Sequence, residues 1–298
     1  MRTEYETLYI DRVGTDDRVA RITLNRPEKL NAISPFMMGE LDAALHDLEL
    51  DRTARVIILR GAGRCFSTGH DISGSGQNPA SPRNPEMSGT KLTEDGRPLT
   101  LNFRTMLHAG TDIQMYMWRM AKVTIVQAHG FCLAGGMEFA MMADLITASE
   151  NCLFGHPGHR AIGVARNGNI LPLVVGMRKA KELFYTGDAI DGVVAEKMGM
   201  INYAWPEAEL EDRTIALADR IANLSADFLA GLKTAANAFY ENMGIQSSVS
   251  SCTLTDAALA NSESAYEWWA KLDELGVRDA VRWRDSRYGD YGARSDKQ

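Results

Sequence analysis

Glu138 follows the glycine pair Gly135-Gly136 by two residues in the run Cys132-Leu-Ala-Gly-Gly-Met-Glu-Phe-Ala140. The apolar stretch Val123-Thr-Ile-Val-Gln-Ala128 precedes it, through His129-Gly130. The pattern predicts a strand, a glycine turn and a helix with an acid in its first turn. The first N–H groups of a helix lack partners within it and stand at the positive end of its dipole. Such donors can stabilise a developing oxyanion, and a carboxylate beside them can move a proton.

A second loop has the same character. Gly61-Ala-Gly-Arg-Cys-Phe-Ser-Thr-Gly69-His70-Asp71-Ile72 follows the apolar strand 55–60. Gly69 relaxes the backbone there, so that the His70 N–H can point into a site. Two such junctions, each ending in glycine and an exposed amide, could supply the two halves of one oxyanion hole. Alone, each glycine turn is equally explained as punctuation between elements.

A third segment, Arg21-Ile-Thr-Leu-Asn-Arg-Pro-Glu-Lys-Leu-Asn31-Ala32-Ile33, is a strand that breaks at Pro27. Together, Asn-Arg-Pro-Glu-Lys-Leu-Asn-Ala, Cys-Phe-Ser-Thr-Gly-His-Asp and Ala-Gly-Gly-Met-Glu-Phe-Ala resemble the crotonase superfamily, the enoyl-CoA hydratase/isomerase proteins. The order and spacing match over residues 5–245. The resemblance implies an α/β fold: a spiral of ββα turns over 1–205, then a helical oligomerisation region over 206–298. It implies homotrimers, or hexamers made of two trimers.

It also implies the chemistry. A thioester carbonyl of an acyl-CoA would sit between the N–H groups of His70 and Gly135, and its enolate would be stabilised there. The His70 side chain is expected to be passive. The coenzyme A part of the substrate would pass Arg26, Lys29, Leu30 and Ala32 on one side, and Gly69, Asp71 and Ile72 on the other. Arg26 and Lys29 could balance phosphate charge. Coenzyme A enters as part of the substrate, and no separate cofactor or metal is implied.

One position departs from the pattern. Hydratases of this family use two glutamates. The first matches Glu138; the second falls on Gly158. The nearest titratable groups are His156 and His159. A single carboxylate fits isomerisation, decarboxylation, C–C cleavage or thioester hydrolysis, whereas hydration lacks a partner unless His156, His159 or a residue of the 74–98 loop supplies one. A protein that binds acyl-CoA without turning it over is a further alternative.

The elements that must position these groups follow from periodicity. Residues 5–26 predict a hairpin around Gly14-Thr-Asp-Asp17. Met37, Leu41, Leu45 and Leu48 mark one face of a helix starting near Ser34-Pro35. Strands at 55–60, 123–128 and 144–149, separated by helices, predict parallel pairing. Residues 191–202 predict a short helix and then a strand. Residues 74–98 are rich in Gly, Ser, Pro and Asn and predict a long loop beside the His70 turn. From 206 onward the pattern is helical, with runs at 210–224, 228–242 and a long third at 247–275. Trp268, Trp269 and Lys271 lie on that third run.

Composition narrows the class. With 298 residues and 45% apolar content, a large core is available. A net charge of −7 argues against a nucleic-acid footprint. Cys65, Cys132, Cys152 and Cys252 form no C-x-x-C pair, so free thiols are expected. The acidic start lacks a signal-peptide pattern, and no stretch is long and apolar enough to span a membrane. A cytoplasmic enzyme acting on acyl-CoA is the resulting expectation.

Overall fold

The computed structural model describes residues 3–73, 100–161, 163 and 170–289. The expected loop at 74–98 therefore lies outside the described residues.

A six-stranded sheet is the frame. Strands β1 (Leu8–Val13) and β2 (Val19–Leu24) form the expected antiparallel hairpin. β3 (Val56–Gly61), β4 (Val123–Ala128), β6 (Leu145–Ser149) and β8 (Tyr203–Trp205) continue it in parallel, in the order β1-β2-β3-β4-β6-β8. The expected strand after the 191–202 helix begins only at Tyr203. Parallel strands covered on both faces read as unbroken apolar runs, which explains Val-Ile-Ile-Leu in β3. Ile57 and Leu59 face the main core, whereas Val56 and Ile58 join Val19, Val123 and Ile125 against helix Glu207–Ile221 and its neighbour.

Helix α1 (Pro35–Leu50) starts where the sequence places it. The Ser34 hydroxyl accepts from the Met37 N–H, and Pro35 takes the first helical position. Its buried face carries Met37, Leu41, Leu45 and Leu48. Helix α2 (Thr100–Arg119) precedes β4.

The short strands β5 (Phe131–Leu133) and β7 (Leu153–Gly155) pair in parallel beside the large sheet. Helix α3 (Gly135–Met141) springs from the end of β5. Helices α4 (Ile170–Val175), α5 (Met177–Thr186) and α6 (Gly192–Lys197) follow.

Beyond Pro206 the chain is helical: α7 (Glu207–Ile221), α8 (Ala226–Asn242), α9 (Ile245–Leu259) and α10 (Glu263–Asp285). The long third run expected at 247–275 is thus two helices. Ser262 breaks it, because its side chain accepts from the Ala265 N–H and starts a new helix. Buried Lys233 of α8 donates to the carbonyls of Met117 and Lys122 and to Asp144, pinning the helical region to the sheet. Four free cysteines are present, and Cys65, Cys132 and Cys152 are buried.

Candidate active site

The three motif segments lie edge to edge. Ile33 pairs with His70, and Ser67 with Cys132, as parallel bridges. The Ile33 N–H donates to Gly69 O at 2.8 Å, and the Leu133 N–H to Ser67 O at 3.0 Å. Asn31, fully buried, ties the first turn to the second: its amide donates to the carbonyls of Ala62 and Cys65, both at 2.8 Å. The Ser67 hydroxyl donates to Asn31 O and accepts from the Gly69 N–H. Residues more than a hundred positions apart in sequence are thereby fixed in one place.

Backbone strain marks the same place. Ala134 holds φ 48° and ψ −123°, and Leu30 and Asn31 also hold positive φ. Non-glycine residues there cost of order 1–3 kcal/mol each, and they persist only where surroundings enforce them. The Ala134 N–H donates to Gly155 O, and its carbonyl accepts from the Glu138 N–H. The turn therefore aims the start of α3 at the His70 loop.

Two glycines allow the approach. Gly69 has φ +97°, and a Cβ on it would stand 2.8 Å from the Gly135 nitrogen. A Cβ on Gly135 would stand 2.8 Å from the His70 ring. The two expected donor residues are thus adjacent, with the imidazole of His70 lying over the Gly135 backbone.

Glu138 is 3% exposed and sits in the first turn of α3. His156 Nε2 lies 3.2 Å from its Oε1, and Gln114 Nε2 donates to its Oε2 at 3.3 Å. His70 Nε2 is 3.9 Å from Oε2. Three nitrogen-bearing side chains therefore surround one buried carboxylate. Gly158 is buried in the turn Pro157–Arg160 and supplies no side chain.

His159 stacks on His156, ring centroids 4.3 Å apart, and meets Phe184 edge-on. Burial, followed by the neighbouring His156, pushes the His159 pKa down to about 3, against the pull of Glu138. The ring is neutral across ordinary pH and supports His156 sterically. A small, mainly apolar cavity borders the group, lined by Met137, Met141, Phe154, Leu171 and Phe184 among others.

The expected coenzyme A residues divide. Arg26 is not turned outward: it donates to Ala32 O at 2.7 Å and pairs with Asp71 at 2.9 Å. It clips the first and second motif segments together. Asp71 also accepts from the N–H and hydroxyl of Ser73, capping a turn. Burial pushes its carboxyl up, but Ser73 and Arg26 outweigh this and hold it below its ordinary value. Lys29 is exposed, while Leu30, Ala32 and Ile72 are half-buried. Ile72 packs against the buried pair Trp268 and Trp269 of α10.

Gln114 is the site residue that sequence reasoning misses. It is fully buried on α2, and only its contact with Glu138 reveals it.

A model of the enoyl-CoA hydratase/isomerase family matches residues 14–267. A crystal structure of an enoyl-CoA hydratase from Mycobacterium smegmatis superposes with a TM-score of 0.87 at 32% identity, covering 99% of each chain. An enoyl-CoA hydratase/isomerase structure from Xanthobacter autotrophicus Py2 gives 0.82 at 28% identity, over 95% of this chain and 99% of that one. A Mycobacterium tuberculosis relative bearing an enoyl-CoA hydratase name, EchA13, is 34% identical over 256 residues, 84% of this chain and 79% of its own length.

Proposed function

We propose that this chain, which belongs to the enoyl-CoA hydratase/isomerase family, moves a proton beside the carbonyl of an acyl-CoA thioester, using Glu138 and His156 as a coupled acid–base pair. The thioester oxygen would lie between the N–H groups of His70 and Gly135. Those donors would carry the charge of the enolate, an effect commonly worth about 10²–10³ in rate per donor.

The step balances with these groups. Glu138 takes a proton as the C–H bond next to the thioester breaks, and the electron pair moves onto the thioester oxygen. The same carboxyl then returns the proton two carbons along, giving the conjugated enoyl thioester. Between the two transfers Gln114 donates to the carboxyl at 3.3 Å, and His156, 3.2 Å away, takes up the proton from Glu138 and hands it back. No metal or separate cofactor enters this scheme; coenzyme A is carried by the substrate.

One observation carries the reading. The buried Glu138 carboxylate meets His156, in a chain whose resemblance to the family puts the second glutamate position on Gly158. A single shuttle suits double-bond migration better than water addition by two separate carboxylates. The test uses the absorbance of the conjugated thioester. A 3-enoyl-CoA should gain it faster than crotonyl-CoA loses it. Rapid loss from crotonyl-CoA with no gain from the 3-enoyl substrate would contradict the shuttle.

Assembly into trimers or hexamers belongs to the same reading. Helix α8 exposes Phe228, Leu232 and Phe239, which recur on one face, and Met243 follows at its C-terminal cap. A solvent-facing apolar stripe of this kind supports association with further copies.

A further inference from the structure

Arg160 closes the turn that carries His156 and His159. Its side chain is 1% exposed, and its charge is met by Asp285, which is fully buried near the other end of the chain. Arg160 Nη1 donates to Asp285 Oδ1 at 3.2 Å, Nη2 to Asp188 Oδ1 at 2.9 Å, and Nε to Thr186 O at 2.9 Å. Arg284 holds both oxygens of Asp285, each at 2.8 Å.

Stability alone is a poor reason for such a cluster. Removing charges from water is costly, and an apolar replacement is often at least as stable. Its best-attested use is to fix one arrangement among several. Here the element being fixed is α10. Its first half packs Trp268 and Trp269 against Ile72, two residues after His70, and against Ala161, next to Arg160. Gly276, at φ 74° and ψ 170°, then breaks the helix, and the second half delivers Arg284 and Asp285. One helix thus touches the segments that follow both His70 and His156.

We propose that Arg160 is a positioning residue: its buried pairing with Asp285 locks the Pro157–Arg160 turn to the end of α10, so that His156 meets Glu138 only when α10 is seated. This inference rests on the reading of Glu138 and His156 as the acid–base pair. The geometry links them, since His156 caps the start of the one-turn element that Arg160 ends.

The test compares wild type with Asp285→Asn and Arg160→Lys. Ring signals of ¹⁵N-labelled histidine are read without substrate, and kcat and KM are measured with a 3-enoyl-CoA. Asp285→Asn should shift the His156 signals and lower kcat by about 10²-fold, the scale of a small misplacement. KM should change little, as expected when an interaction specific to the transition state is lost. Arg160→Lys keeps the charge but loses the fork, and should show an intermediate shift with the melting midpoint retained. Unchanged His156 signals in either folded variant would overturn the latch, even if the wild type proves inactive on every acyl-CoA. Shifted signals with unchanged kcat would overturn it too. If Asp285→Asn does not fold, a wild-type spectrum for Arg160→Lys decides against the proposal.

Discussion

His156 Nε2 lies 3.2 Å from Glu138 Oε1, on a carboxylate that Gln114 holds from the other oxygen. The imidazole comes from the turn after β7, the carboxylate from the first turn of α3, and the amide from α2. The site is therefore assembled from three separate elements, with the Glu138 carboxylate fixed at both oxygens.

Replacing His156 separates placement from proton transfer. His156→Gln keeps a donor for Glu138 but cannot take up a proton from it. General acid–base help is typically worth about 10²–10⁴. Turnover should fall by that order in His156→Gln, while acyl-CoA affinity in a binding assay stays near wild type. A fully active His156→Gln would show that the ring only positions Glu138.

Gly135 distinguishes main chain from side chain. Proline is tolerated at the first position of a helix, so Gly135→Pro should fold while losing the N–H. It should lose about 10²–10³ of kcat, the usual worth of one oxyanion donor. Gly135→Ala keeps the N–H, but its Cβ would press on the His70 ring from 2.8 Å. Its loss should be milder, and restored in part by His70→Ala in the same chain. Equal loss in both single variants would point to the His70 ring rather than the amide.

His159 gives a signature in stability. Its pKa is about 3 when folded, against an ordinary 6.5, with burial as the first cause. Below the unfolded value, the unfolded chain binds a proton that the folded chain refuses. The contribution is therefore present above about pH 6.5 and is lost as pH falls toward about 3, at up to roughly 1.4 kcal/mol per pH unit. Urea unfolding of wild type and His159→Gln across that window should show a shallower loss for the variant. Parallel curves would contradict the buried neutral ring.

The apolar stripe on α8 should be an interface. Sedimentation should give a trimer or hexamer, and Leu232→Glu with Phe239→Glu should shift it toward smaller species without lowering helix content. A wild-type monomer at micromolar concentration would remove the basis for the stripe's proposed role.

What the sequence makes legible is local. Glu138, Gly135, Gly69 and His70 lie in glycine turns whose geometry follows from a few adjacent residues. Ser34-Pro35 gives the start of α1 for the same reason. Gln114 is different: one buried glutamine on a helix carries no chemical signature until tertiary packing places it on Glu138. Arg160 and Asp285 are 125 residues apart, so neither hints at the other. Strands β5 and β7 have three residues each, too few for alternation to register. Arg26 reads as a phosphate partner by charge alone, and its pairing with Asp71 depends on how two loops meet.

The central claim is that Glu138 is the one carboxylate on which proton transfer depends. Glu138→Gln preserves the shape of the side chain and can still meet His156 and Gln114. Its single-turnover rate on a 3-enoyl-CoA, measured beside its affinity for the same thioester, tests that claim most directly. The rate should drop by about 10²–10⁴ while affinity is kept. A folded Glu138→Gln that turns over at the wild-type rate would contradict it.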